Sequence, residues 1–287
     1  MPTHLDDIRL YYDVNTRDFQ RYGQGSEHAV IRRAVWGPGI VQRAAAFRYV
    51  DNLIAAELRA LKTTAPLRVF DFGCGLGSSL LMLRRELHDL QLEGVGFTIS
   101  AVQARIAQQQ IAAANASNQL RCLEADFLNL PPGLAPAHAV FAIESFVHST
   151  SAHAFFEAAA TNLAPGGTLM LCDDFLTPRA DGALDPAERG WITTFQHGWV
   201  APTVISVQQA EQAAARAGFE LHQSLDLTPY LELRRPRDRM LSALVWLLGQ
   251  LPIPGYRWRS LVGGNALQMA LLAGLVEHRF ITWRLPP

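Results

Sequence analysis

Lysine is almost missing from this chain: of 25 basic residues, Lys62 is the one lysine and the others are arginines. Set against 26 acidic residues they leave a net charge of −1, so no overall basic field exists to hold nucleic acid or an anionic membrane. Cysteine is also scarce. Cys74, Cys122 and Cys172 each fall in or beside an expected strand, and none stands in a C-x-x-C pair. That excludes a disulfide framework and a zinc site, and fits reduced thiols in a cytoplasmic protein without a metal. Long apolar runs are lacking: residues 240–251 and 266–276 are too short to cross a bilayer, so no transmembrane segment is expected. The polar, acidic opening Met1-Pro2-Thr3-His4-Leu5-Asp6-Asp7 does not read as a signal peptide. No internal repeat or low-complexity tract occurs.

What is present is apolar material in quantity, 49% of 287 residues, enough for one large α/β domain or two small ones. Over 39–61 the apolar residues recur at helical spacing, as in Ile40, Ala44, Phe47, Val50 and Ile54, and residues 1–65 read as a helical segment. From 67 the pattern alternates. Strands are expected at 68–72, 93–97, 120–124, 138–143 and 167–173, with helices at 78–89, 100–115 and 151–163. This order argues for a doubly wound α/β fold with a mostly parallel sheet covered on both faces. The turn Leu163-Ala164-Pro165-Gly166-Gly167 ends a helix and starts a strand. A helix at 206–217, a strand at 219–225 and a last strand at 277–284 complete the core of 66–287. Two insertions interrupt it, at about 175–205 and 226–276. The second is helical and opens on Arg234, Arg235, Arg237 and Arg239. Insertions of this size at a sheet edge read as a cap over a substrate site, or as the interface of a homo-oligomer.

The chemistry-bearing stretch is Val69-Phe70-Asp71-Phe72-Gly73-Cys74-Gly75-Leu76-Gly77-Ser78. An apolar run ends in an acid, three glycines follow at alternate positions, and a helix-forming run begins. The spacing predicts a strand, a tight turn and a helix N-terminus, with backbone open to a ligand. The pattern is D-x-G-x-G-x-G, whereas the dinucleotide fingerprint is G-x-G-x-x-G. Where a dinucleotide enzyme would place an acid, at the end of the second strand, stands Thr98, followed by Ile99 and by Ser100 as a helix N-cap. The third strand ends in Asp126-Phe127, suited to clamp an adenine, carboxylate to amine and ring to base, or to form an Asx turn. Past the fourth strand come Glu144 and His148. A carboxylate there can stabilise a cation or take a proton, and an imidazole can relay it. A structural hydrogen bond and a helix-start histidine are the plain alternatives.

These motifs resemble the class I methyltransferases that use S-adenosylmethionine, and among them the sterol C-methyltransferase group with its tocopherol and cyclopropane-forming relatives. The resemblance rests on the glycine turn, on Gly96-Phe97-Thr98-Ile99-Ser100, on Ala142-Ile143-Glu144-Ser145-Phe146-Val147-His148, and on Tyr11-Tyr12 with Tyr22-Gly23-Gln24-Gly25-Ser26-Glu27-His28; it covers about residues 11–175. It implies a seven-stranded Rossmann-like sheet and an N-terminal segment, within 1–65, that closes over the donor. By it Asp71, Gly73, Gly75 and Gly77 line the methionine and ribose end of the cofactor, Thr98, Ile99 and Gln103 border the ribose and adenine, and Asp126 and Phe127 hold the adenine. By the same resemblance Tyr12 and Tyr22 come from the N-terminal segment that closes over the sulfonium. Glu144, His148, Tyr22 and His28 are the catalytic candidates. The expected reaction is methylation of an alkene carbon in an apolar isoprenoid-type small molecule through a carbocation, with Glu144 or His148 taking the proton. The arginines at 234–239, with Arg32 and Arg33, either bind a diphosphate or form a solvated face. An O- or N-methyltransferase of secondary metabolism is the alternative, and a non-catalytic binding module is a third.

Overall fold

The computed structural model describes residues 4–22, 31–61, 66–248 and 253–287, with side chains of 17–22 outside that description. Strands β1 (Leu67–Phe72), β2 (Leu92–Thr98), β3 (Leu120–Glu124), β4 (Ala137–Ile143), β5 (Leu163–Leu176), β6 (Glu220–Asp226) and β7 (Val276–Arg284) form one sheet, ordered β3-β2-β1-β4-β5-β7-β6. The first five run parallel, and β7 enters antiparallel between β5 and β6. Side chains alternate across β1: Val69 packs with Leu80 and Leu83 on one face, while Phe70 and Phe72 meet Phe97 and Phe155 on the other. β1 pairs with β2 on one side and with β4 on the other, so the strand order reverses there. The carboxyl ends of β1 and β4 flank that switch point, where open α/β sheets hold ligands.

Helices α3 (Ser78–Glu86), α4 (Ala101–Ala113), α5 (Ala152–Asn162) and α7 (Val207–Arg216) cover the sheet. Ser100, Ser151 and Ser206 cap the last three through their hydroxyls, as short polar side chains at a helix start do. The expected elements are found with shifted ends. β5 begins at Leu163, not at 167: while β4 advances from Ala137 to Ala139, β5 advances from Leu163 to Thr168, and the Pro-Gly-Gly turn sits in that slack.

Residues 1–65 are not one helical stretch. α1 (His4–Tyr22) and α2 (Arg43–Ala60) are separated, and within that gap 31–42 contains no helix. Val35 bridges to Leu231 there, and Pro38 precedes Gly39 at φ 78°, a conformation that ends regular structure. The insertions carry α6 (Pro186–Trp199), α8 (Pro236–Leu248) and α9 (Tyr256–Leu272). α6 and α9 cross at Gly198 and Gly263, where an added Cβ on Gly198 would lie 2.6 Å from the Gly263 Cα. α1 is fastened to α9 by the Tyr11 hydroxyl to Ser260 Oγ at 2.9 Å and by the Tyr256 hydroxyl to Asp7 at 2.6 Å. Among the described residues no helix is long and apolar enough to cross a membrane.

Candidate active site

A cleft of about 830 Å³ opens at the switch point. The turn after β1 contributes Gly73 and Gly75 to its wall. Gly73, at φ 90°, lies so close to Ser145 that an added Cβ would come within 2.3 Å of the serine Cβ. Ser145 in turn donates its hydroxyl to the Phe72 carbonyl at 2.5 Å, which locks the β1 and β4 ends together. Gly75, at φ 51°, has no protein atom within 4 Å of an added Cβ; the space beside it is open cleft. The other two residues of the motif do not line the cleft. Gly77 serves packing, since an added Cβ would press on Ala107 and Cys122 at 3.2 Å. Asp71 is buried with its carboxyl pushed up, by burial first and then by the Asp51 carboxylate.

The β2 end places Thr98, Ile99 and Gln103 on the wall. The Thr98 hydroxyl donates to Gln103 Oε1 at 2.8 Å, and Gln103 Nε2 reaches Thr16 on α1 at 3.2 Å. Arg9 adds a bond to the Ile99 carbonyl at 3.1 Å, so this corner is also where α1 is moored. The β3 end brings Asp126 and Phe127 to the same cleft. Asp126 accepts from the Leu128 N–H at 2.9 Å, an Asx turn that aims its carboxylate. Phe127 stacks on Phe72 with centroids 5.4 Å apart and planes at 8°.

The β4 end supplies Glu144 and His148. Glu144 is held in the left-handed region, φ 50°, which only local support sustains in a residue with a side chain. Its N–H donates to the Cys172 carbonyl at 2.8 Å. Its Oε1 accepts from the Arg33 N–H at 3.0 Å and from Arg33 Nε at 3.3 Å. Arg33 also binds Asp174 at 2.8 Å, and Asp174 contacts His278 Nδ1 at 3.0 Å. The Cys172 thiol lies 3.3 Å from His278 Nε2. A fitting proton arrangement has the thiol donating to Nε2 and Nδ1–H donating to Asp174. The Arg33 guanidinium, beside Asp174 and with His278 bonded to it, holds the Asp174 carboxyl at about 2 against the pull of burial. Asp173 next to it is raised, by burial first and then by Asp174.

His148 sits in a short 3-10 turn, Phe146–His148, with both ring nitrogens engaged. The Tyr12 hydroxyl lies 2.7 Å from Nε2, and Nδ1 lies 3.1 Å from the Val200 carbonyl. The carbonyl needs a donor, so Nδ1 carries the hydrogen and Nε2 accepts from the phenol. Burial pushes the imidazole down to about 4, and the ring is neutral at neutral pH. Tyr12 meets the ring edge-on at 5.4 Å, bringing an N-terminal aromatic into the cleft as the sequence suggested. The other two N-terminal candidates, the Tyr22 side chain and His28, lie outside the described residues.

The sequence left Arg32 and Arg33 either to bind a diphosphate or to form a solvated face. Arg32 is instead committed to Asp51, with Nη1 at 2.8 Å from Oδ1, and to Ser79 at 3.1 Å, behind the glycine turn. Arg33 was noticed without its role beside Glu144. Asp174 and His278 were missed, although an acid pair, Asp173-Asp174, closing an apolar strand was a visible signal.

A family model described as a methyltransferase domain matches residues 43–224. The "O-methyltransferase cnsE" of Penicillium expansum is 28% identical over 184 residues, 63% of this chain and 61% of its own. "Cycloartenol-C-24-methyltransferase 1" of Oryza sativa subsp. japonica is 26% identical over 225 residues, 78% of this chain and 62% of its own. The chain spans about half to three fifths of the length of the first curated relatives it matches. In fold it is similar to geranyl diphosphate C-methyltransferase from Streptomyces coelicolor A3(2), solved with Mg2+, geranyl diphosphate and S-adenosyl-L-homocysteine: TM-score 0.69, 18% identity, 99% of this chain and 98% of that one.

Proposed function

The chain belongs to the methyltransferase-domain family, and from that premise we propose that it moves a methyl group from S-adenosylmethionine to an alkene carbon of an isoprenoid-type small molecule, with Glu144 as the base. The residues of the cleft fit that donor. Gly75 leaves open a space that a Cβ would enter, Gly73 lets the backbone pass close to Ser145, and Ile99 with Phe127 offers apolar faces for a base. Asp126 presents a carboxylate to an exocyclic amine, and Tyr12 lines the cleft from α1. When bound, the donor supplies an electrophilic methyl group.

The protein's part is placement, dryness and one proton. α1 lies over the cleft and limits water. The alkene carbon would take the methyl as its bond to sulfur breaks and S-adenosylhomocysteine is left behind; the neighbouring carbon would then be cationic, and loss of a proton from the carbon next to it would restore a double bond. Glu144 takes that proton. The observation that carries this assignment is the contrast between the two candidates. Both nitrogens of His148 are occupied, whereas Arg33 engages only Oε1 of Glu144 and no hydrogen bond from a described residue reaches Oε2. Tyr12 and His148 then form a neutral, fixed wall.

The O-methyltransferase relatives favour a second reading, in which a hydroxyl in place of the alkene loses its proton to the same carboxylate. Incubation with methyl-labelled donor and a panel of prenyl diphosphates, sterols and phenols separates the two. Label on an isoprenoid carbon is expected. Label found only on oxygen overturns methylation of carbon and leaves the donor site standing.

A further inference from the structure

Behind α8 lies a second cavity, of about 1480 Å³, between α8, α9 and the segment leading into α8. It meets the donor cleft at one ion pair: Arg33 lines the second cavity, and Glu144, bonded to it, lines the first. On the methyl-transfer reading, an acceptor that meets Glu144 beside the donor has this cavity to lie in. α8 gives the cavity part of its wall through Asp238 and Leu241, and the opposite side of the same helix faces solvent. That outer side is apolar. Met240, Ala243, Leu244 and Leu247 recur at i, i+3, i+4 and i+7, one stripe along a helix, and all four are exposed, Met240 at 66% and Leu247 at 68%. Trp246 stands beside the stripe, 83% exposed. A surface helix turns its apolar stripe to the core; an apolar patch of this extent left in water marks an interaction surface.

The charges around the stripe point to its partner. Residues 240–256 carry no charged side chain, and no acid occurs between Asp238 and Glu277. Arg235 is paired with Asp238 and Arg259 with Asp7. Arg234 and Arg239, at the start of the helix, are exposed, and among the described residues neither pairs with a carboxylate. A helix with an apolar stripe, a tryptophan at its border and arginines beside it has the make-up of one that lies in a bilayer interface. A second copy of the chain fits the same face less well, because it would bring the same arginines and no acid from 239–276 to meet them.

We propose that the outer face of α8 docks on an anionic phospholipid bilayer. The helix lies in the plane of the interface, with Met240, Leu244, Trp246 and Leu247 among the acyl chains and the Arg234 and Arg239 guanidiniums at the phosphates. The docking face stands on the cap alone and is independent of which atom the enzyme methylates.

The test is flotation of the purified full chain with vesicles of phosphatidylcholine, alone or with one third phosphatidylglycerol. Binding to the anionic vesicles is expected, more than about tenfold tighter than to phosphatidylcholine alone and weakening with salt. Trp246→Ser/Leu247→Ser should weaken it more than about tenfold, and Arg234→Gln/Arg239→Gln should bring it down to the phosphatidylcholine level. These positions are exposed, so an unchanged denaturant midpoint is expected and marks the variants that fold. Met240→Ser/Leu244→Ser is the second variant of the stripe, should the first fail that check. No binding to either vesicle overturns the docking face, and so does binding that a folded stripe variant retains in full. Equal binding to both vesicles overturns the anionic surface. A dimer that Trp246→Ser/Leu247→Ser dissociates, in a protein that does not float with vesicles, gives the face to a second copy and overturns the bilayer.

Discussion

The two cavities that meet at Arg33 and Glu144 are made of different material. Most of the donor cleft wall comes from short turns at the carboxyl ends of β1 to β4, each within a few residues of its strand. Most of the second cavity comes from helix faces in the long insertion between β6 and β7, together with Arg33 and Ala34 from far earlier in the chain. The first is a property of the sheet, and the second is a property of how a cap happens to pack. Changes in the first should therefore alter donor binding and leave the acceptor alone, and changes in the second the reverse. The ion pair between them bears on the chemical step, so its loss should show in turnover before it shows in binding on either side.

Glu144→Gln strikes that junction most directly. It keeps the shape and removes the base. Turnover should fall by roughly 10³-fold, within the range for loss of a general base, while affinity for S-adenosylhomocysteine stays within about twofold. Full activity in this variant would return the proton to another group and sink the contrast with His148. Arg33→Met should act on stability as well as rate. It strands Asp174, whose side chain is 2% exposed, and removes the Nε bond to Glu144, while the bond from the backbone N–H of residue 33 stays. Breaking a buried pair costs about 3–5 kcal/mol, readable as a shifted denaturant midpoint with an unchanged slope. A loss confined to activity, with no change in midpoint, would mean that Asp174 is supported by His278 alone.

Asp126→Ala tests the donor side by itself. Losing one charge-assisted acceptor and its Asx turn should weaken S-adenosylhomocysteine binding by about 1.5–3 kcal/mol, or roughly tenfold to a hundredfold. Acceptor binding at the cap should not move. A matching loss of acceptor affinity would merge the two cavities into one site and remove the distinction drawn above.

The same division explains what the sequence could tell. Gly73, Gly75, Asp126 and Glu144 each belong to a local strand-end pattern, and local patterns are legible in one dimension. Gly77 and Asp71 share the motif yet do not line the cleft: Gly77 packs against Ala107 and Cys122, and Asp71 lies buried within β1. The partners of Glu144 are not local: Arg33 is 111 residues away, and Arg33 and Asp174 are separated by 141. No spacing rule links them; they meet only because the parallel sheet sets β4 beside β5 and the 31–42 segment crosses the ends of both. The breadth of the insertion was legible from the distance between β6 and β7. The ion pairs of its cavity were not, since they depend on which arginines Asp238, Glu232 and Asp174 take up.

The smallest expected effect concerns pH, and it belongs to the donor side. His148 titrates near 4 in the folded protein against about 6.5 in an unfolded chain, because burial disfavours the imidazolium. Between those values the unfolded state binds the proton and the folded state does not, so stability at this residue is full above about 6.5 and declines as pH falls toward 4. A single site gives at most about 1.4 kcal/mol per pH unit, and about 1 kcal/mol is expected between pH 6.5 and 5.5. His148→Asn keeps a small polar side chain and cannot titrate, so its stability should fall less steeply than the wild type's over that window. The comparison must be made as a difference, because Asp173 and Asp71, both raised, contribute slopes of the opposite sign. Parallel curves for the two proteins would mean that His148 is protonated in place. A charged imidazolium would then need Nε2 to turn from acceptor to donor toward Tyr12, and the neutral wall assigned to that pair would be lost.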